Sequence, residues 1–128
     1  VWTGTEDTIA LAKKHKIKMA FGTDILFSPD AAARQGAELA KMGKWYSPAE
    51  VLTMATATNG ELLKLSGPRD PYPGKLGVIE EGALADLLLI DGNPLSNLEL
   101  IADPARNLAL IMKDGEIYKS TLPEGANR

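Results

Sequence analysis

The stretch from Pro68 to Gly77 divides the chain into two parts of different character. It contains three prolines and two glycines, residues that favour turns and interrupt helices and strands. Before this stretch, apolar residues recur with helical spacing around one short apolar run. After it, the apolar runs are short and end in Asp-Gly pairs, which is typical of strands and hairpins. The pattern therefore predicts an α/β fold in two parts, residues 1–66 and 67–128.

Helix signals are concentrated in the first part. Thr3 and Glu6 have the spacing of a capping box and precede a predicted helix at about 5–15. Asp30 is the predicted N-cap of a helix that runs to about Met42. The clearest start is Ser47-Pro48-Ala49-Glu50, with an N-cap serine, proline in the first turn and glutamate at the third position. Thr58 and Glu61 repeat the capping spacing and predict a further helix.

Strand signals dominate the second part. Leu87–Ile90 is a continuous apolar run closed by Asp-Gly, which predicts a strand covered on both faces. The segment 108–119 contains Asp114-Gly115 between two apolar runs and predicts a hairpin with a type I′ turn. That register places Lys113 opposite Glu116, an attractive charge pair.

Composition excludes several classes of function. The chain has 128 residues, enough for one ordinary domain, and its net charge of −3 comes without a block of basic residues. We therefore expect neither nucleic acid nor a membrane surface as a partner. There is no cysteine and only one histidine, so this chain cannot supply a thiolate or multi-histidine metal site.

Asp24 is the strongest candidate for chemistry. It comes directly after the apolar run Ile17–Phe21, which is too short for a helix and predicts a buried strand. A carboxylate in this position can ligate a divalent metal or accept a proton from a metal-bound water. The simpler interpretation is a loop aspartate that caps a turn. His15 is interpreted as a helix-end residue and Asp86 as a structural carboxylate that accepts bonds from backbone N–H groups.

Four ordered motifs resemble the amidohydrolase superfamily, most closely its imidazolonepropionase and Xaa-Pro dipeptidase-like branch. Ile17–Asp24 is similar to the eighth barrel strand, which ends in a metal-site aspartate. The helical stretch from Ser47 to Gly60 follows it, as in the family. Segment 74–87 resembles the return into a small β domain beside the barrel, and segment 91–118 continues that pattern.

The resemblance implies a (β/α)₈ barrel with one or two divalent metals, usually zinc, that hydrolyses amide or other C–N bonds. It makes Asp24 the metal ligand and proton shuttle, and it makes Ile25–Ser28 a wall of the substrate pocket. A complete barrel takes about 250 residues, and the chain begins at Val1 without methionine. We therefore expect the C-terminal portion of a barrel together with strands of a composite β domain. We expect this portion to be inactive and unable to hold the metal by itself.

The expected substrate of the intact enzyme is a small amide or a dipeptide-like molecule. Because Ile17–Phe21 would lack its neighbouring strands, we also expect self-association through exposed strand edges. Two alternatives remain open at this point. The chain could be a free-standing, non-catalytic assembly module, or it could be one half of a split hydrolase completed by a partner that carries the histidines.

Overall fold

The chain folds as helices followed by a small antiparallel sheet. The structure, a computed structural model, describes residues 2–123, and the side chains of residues 4–123. The α-helices are α1 (Trp2–Lys14), α2 (Pro29–Ala32), α3 (Gln35–Lys41), α4 (Pro48–Thr53), α5 (Asn59–Lys64) and α6 (Pro104–Asn107). The strands are β1 (Leu87–Ile90), β2 (Leu108–Lys113) and β3 (Glu116–Ser120), in the order β1-β2-β3. Short 3₁₀ turns cover Met42–Lys44, Gly67–Arg69 and Leu98–Ala102.

The predicted capping box at the start of α4 is confirmed. The backbone N–H of Glu50 donates to Ser47 Oγ at 3.4 Å, and the N–H of Ser47 donates to Glu50 Oε2 at 2.8 Å. The Ser47 hydroxyl and backbone N–H together hold the pKa of the Glu50 carboxyl below its ordinary value. The predicted restart at Thr58 is wrong. The helix continues from α4 through one π-helical turn, Met54–Thr58, into α5.

Two other predicted helices differ from the structure at their boundaries. Helix α1 begins at Trp2, about three residues earlier than predicted, so Thr3 lies within the helix and does not precede it. The helix predicted from Asp30 is divided into α2 and α3. Its N-cap is Ser28, whose Oγ accepts from the Ala31 N–H at 3.3 Å, and Asp30 lies in the first turn.

The predicted buried strand Ile17–Phe21 is not formed. The described residues include no strand that pairs with this segment, and its first side chain, Ile17, is 58% exposed. A strand requires backbone partners on at least one side. The apolar sequence is therefore present without the hydrogen-bonded ladder that would complete a strand.

The predicted hairpin is confirmed, with the predicted register at the turn and a shift of register between Ile111 and Met112. Lys113 pairs with Glu116 and Met112 pairs with Ile117. Asp114 has φ 51° and Gly115 has φ 79°, as a type I′ turn requires.

The strand predicted at Leu87–Ile90 is also present, but the coverage predicted for it is not. Leu88 and Leu89, which point to opposite faces of the sheet, are 57% and 48% exposed, so the described residues cover neither face fully at this strand. In the described sheet β1 pairs with β2 and lies at the edge.

One apolar core contains residues from both sides of the stretch Pro68–Gly77, called the proline-rich stretch below. Helix α3 approaches the 3₁₀ turn at Leu98–Ala102 closely, because Gly36 has no side chain and the Ile101 carbonyl oxygen occupies that space. The buried members of this core are Ile9, Ala40, Tyr46, Val51, Met54, Leu98 and Ile101. The division at residues 66 and 67 remains a prediction. No helix among the described residues has the length and apolar content needed to cross a membrane.

The side chain of Asp70 connects the start of the proline-rich stretch to the end of α5 by hydrogen bonds. Its carboxylate accepts a hydrogen bond from Lys64 Nζ at 2.6 Å and another from the Tyr72 N–H at 3.0 Å. The Lys64 bond is the larger of two contacts that hold the Asp70 pKa below its ordinary value of 3.8. A carboxyl whose pKa is lower in the folded chain stabilises the fold above its unfolded pKa, and this contribution disappears as pH falls through the folded pKa.

We therefore expect Asp70→Asn to reduce stability at pH 7 and to leave stability unchanged at strongly acidic pH. Urea unfolding measured from pH 7 to pH 2 would show the two curves converging on the acid side. Asp91→Asn, at an exposed loop carboxylate, is the control and should follow the wild type throughout. A constant difference between D70N and wild type across the whole pH range would contradict the assignment.

Candidate active-site loop

Asp24 lies on an irregular segment between α1 and α2. Its side chain is exposed, and within residues 4–123 its carboxylate makes no hydrogen bond or ion pair. Its backbone has φ 50°, in the left-handed region, where aspartate and asparagine are tolerated better than most residues. Among the described residues the turn therefore presents an unpaired carboxylate to solvent, no strand precedes it, and its role in the chemistry stays a prediction.

The side chain of Asn59 holds the segment before Asp24. No local sequence pattern predicts this contact, because Asn59 and Phe21 are 38 positions apart. The Phe21 N–H donates to Asn59 Oδ1 at 3.0 Å, and Asn59 Nδ2 donates to the Phe21 carbonyl at 2.9 Å. These are the two bonds that residues in a hydrogen-bonded antiparallel pair exchange. One side-chain amide thus takes the place of a neighbouring strand at Phe21.

The π-helical turn directly before Asn59 is packed against the proline-rich stretch. Gly77, with φ 72°, lies against the backbone of Thr56, and Gly60 lies against the Leu76 carbonyl. A Cβ at either glycine would overlap these backbone atoms. Such close packing fixes the turn of helix that carries Asn59. π-Helical turns are rare and occur frequently at functional sites.

The pocket wall that the resemblance implies at Ile25–Ser28 stays a prediction. Leu26 is 68% exposed and Phe27 is fully exposed, while the Ser28 hydroxyl caps α2. An open cleft of about 360 Å³ lies instead between Ile17–Met19 and α4, and neither Asp24 nor Ile25–Ser28 lines it. Within the described residues, Leu26, Phe27 and Ser28 are exposed, whereas Ile25 is partly buried.

The described residues do not fit a divalent metal by themselves. No group of three or more His, Asp or Glu side chains within them is close enough to hold one. His15 follows the end of α1, as interpreted from the sequence. Asp86 is confirmed as a structural carboxylate, because its Oδ1 accepts from the Asp114 N–H at 2.7 Å, with Lys113 Nζ at 3.9 Å. Asp24 remains the one candidate, and a catalytic metal needs about three protein ligands.

Comparison with known proteins decides the family. The sequence profile described as the amidohydrolase family matches residues 3–118. The chain belongs to the amidohydrolase family. A crystal structure of an amidohydrolase is 36% identical, with a TM-score of 0.75 over 91% of this chain and 26% of its own. The comparison with curated proteins gives no significant match.

Two further solved structures of this kind carry more specific names. A prolidase crystallised with N-methylphosphonate-L-proline is 29% identical, with a TM-score of 0.72 over 89% of this chain and 26% of its own. The ochratoxinase of A. niger is 28% identical, with a TM-score of 0.67 over 85% of this chain and 23% of its own. The chain thus spans about a quarter of the length of the amidohydrolases that it resembles.

Proposed function

We propose that this chain provides the Asp24 loop of a larger hydrolase that cleaves an amide or other C–N bond in a small molecule. The observation that carries the proposal is an exposed carboxylate without a bonding partner among residues 4–123, on a loop held by Asn59, in a chain that belongs to the amidohydrolase family. The names of the similar structures, an amidohydrolase, a prolidase and an ochratoxinase, support hydrolysis as the reaction class.

In this proposal Asp24 acts as one oxygen ligand of a divalent metal, zinc or another, and as the acceptor of a proton. The remaining ligands come from residues outside the chain, since the described residues do not provide a complete set. It follows that the isolated chain is inactive and binds divalent metals weakly. Carboxylate oxygens bind several divalent cations, so Asp24 does not select among them.

A dipeptide with C-terminal proline is the substrate class that we propose to test first. The similar prolidase was crystallised with a phosphonate derivative of proline, and its chain is 29% identical to this one. The phosphonate carries a tetrahedral phosphorus where an Xaa-Pro dipeptide carries the planar carbonyl of the bond to proline.

The test is hydrolysis of Xaa-Pro dipeptides by the longest protein that the gene encodes. The release of free proline measures the reaction. We expect turnover and divalent metal near stoichiometric amounts in that protein, and neither in the 128-residue chain. Hydrolysis by the 128-residue chain alone would contradict the proposal. Absence of turnover and metal in the longer protein would favour a non-catalytic assembly module. Turnover that requires a copurifying second chain would favour a split hydrolase.

We also propose that the isolated chain associates with a second copy. Among residues 2–123, β1 has one unpaired edge, and it carries the exposed Leu88 and Leu89; such features promote pairing between chains. Light scattering at increasing concentration should show a mass above that of the monomer.

Leu88→Lys places a charge on this edge strand and should shift the population towards monomer. The matched control is Leu95→Lys, because Leu95 is exposed to a similar extent, 58%, but lies outside β1. A monomer for the wild type at all concentrations would count against this surface.

A further inference from the structure

Asn59 has no evident part in the stability of α5 itself. It lies within a continuous helix, where asparagine is a poor helix former, and its side chain does not bond to the helix backbone. Its amide reaches instead to a residue 38 positions earlier in the chain. The unfavourable helix propensity of asparagine is thus offset by the hydrogen bonds of its side chain to Phe21.

The position of Asn59 follows from the π-helical turn. The N–H of Asn59 donates to the Met54 carbonyl, five residues earlier, which is the bond that defines such a turn. An additional residue in one turn rotates the following side chains around the helix axis. This rotation, together with the packing of Gly77 on Thr56, aligns the Asn59 amide with both polar groups of Phe21.

Phe21 is three residues before Asp24, with Gly22 and Thr23 between them. Gly22, two residues before Asp24, gives the backbone freedom, and Asp24 itself adopts a left-handed conformation. Without a fixed point at Phe21 the carboxylate would sample many positions. The Phe21 ring also packs against the apolar core, but such a contact does not fix the direction of the backbone N–H and carbonyl of Phe21. The ion pair of Lys18 and Glu61 has side chains that are both more than half exposed, and such pairs contribute little.

We infer that Asn59 is a positioning residue for Asp24: its amide substitutes for a neighbouring strand at Phe21 and thereby fixes the loop that presents the carboxylate. The inference rests on the proposed function of Asp24. It adds that a side chain of the helix after the loop sets where the carboxylate lies. The role requires both the donor and the acceptor of the amide.

The first test is hydrogen exchange of the Phe21 amide in the 128-residue chain. Asn59→Ala should accelerate this exchange by about tenfold or more, because it removes the acceptor. Glu61→Gln is the matched control: it lies on the same helix, breaks the Lys18 ion pair, and should leave the rate within about twofold. Equal exchange at Phe21 in wild type and N59A would overturn the inference.

The second test uses kinetics of the longer hydrolase. N59A should lower kcat by about tenfold or more with KM within about twofold, because substrate binding does not involve Asn59 while placement of the reacting group does. A purely structural role would lower the amount of folded enzyme and leave kcat per folded site unchanged, and that result would refute positioning.

The two proposals fail in different ways. If Asp24→Asn retains full activity, the proposed function fails, whatever happens to the exchange of Phe21. If D24N is inactive while N59A leaves kcat unchanged, Asp24 keeps its role and only the role of Asn59 is lost.

Discussion

Replacing Asp24 by asparagine is expected to lower kcat of the longer hydrolase by at least about 100-fold, the usual contribution of a positioned acid or base. Asparagine has nearly the same shape and also tolerates the left-handed backbone at this position, where φ is 50°. The change therefore removes the charge and the proton-accepting oxygen with little effect on the loop. Steady-state kinetics with an Xaa-Pro dipeptide, together with metal content, would measure the effect.

Asp91→Asn provides the matched control for D24N. Asp91 is also an exposed aspartate directly after an apolar run, and its backbone N–H donates to the Asn107 carbonyl at 2.8 Å. Removing its charge should leave kcat and metal content unchanged. Equal losses in the two variants would indicate a general effect of charge, and full activity of D24N would refute the catalytic role of Asp24.

Replacing Gly77 by alanine is expected to destabilise the fold by about 3 kcal/mol. Two effects add: a left-handed conformation, which costs about 1–2 kcal/mol for a residue with a side chain, and overlap of the new Cβ with the Thr56 carbonyl, which costs about 1–3 kcal/mol. The helix cannot easily move away from Gly77, because one turn further on Gly60 packs directly against the carbonyl of Leu76, the residue before Gly77. The midpoint and slope of urea unfolding would give the free energy.

Gly82→Ala separates the two effects. Gly82 has φ 83°, but a Cβ there would meet nothing within 4 Å. This variant should show only the conformational effect, about 1 kcal/mol. Equal free energies of unfolding for G77A and G82A would contradict close packing between Gly77 and the helix at Thr56.

The parts of the fold that were predictable from the sequence are those governed by neighbouring residues. The capping box at Ser47 and the Asp114-Gly115 hairpin depend on spacing of two or three residues, and both are confirmed. The π-helical turn was missed because Thr58 and Glu61 have the spacing of a helix start. The turn instead packs against Gly77, 21 positions away from Thr56 in the chain, a contact that no local spacing reveals.

The site was predictable in the same partial way. The position of Asp24 after an apolar run and a glycine is visible in the sequence, and the structure places its side chain in solvent. The contact of Asn59 with Phe21 spans 38 positions and has no local pattern. The one available signal was an asparagine inside a helical stretch, where it disfavours the helix. Strand formation at Ile17–Phe21 could not be predicted correctly, since a strand depends on partners that local sequence does not reveal.

The bidentate contact at Phe21 also limits how a larger sheet could grow here. An incoming strand that sought the same two backbone groups would have to displace an amide already bonded to both of them. On the side of the chain that faces Asn59, backbone hydrogen bonds to an added strand must therefore end before Phe21. The residues before Phe21 can still pair with such a strand. The final residues before Asp24 therefore stay outside the ladder on that side, and the backbone leaves the direction of the strand before it reaches the carboxylate.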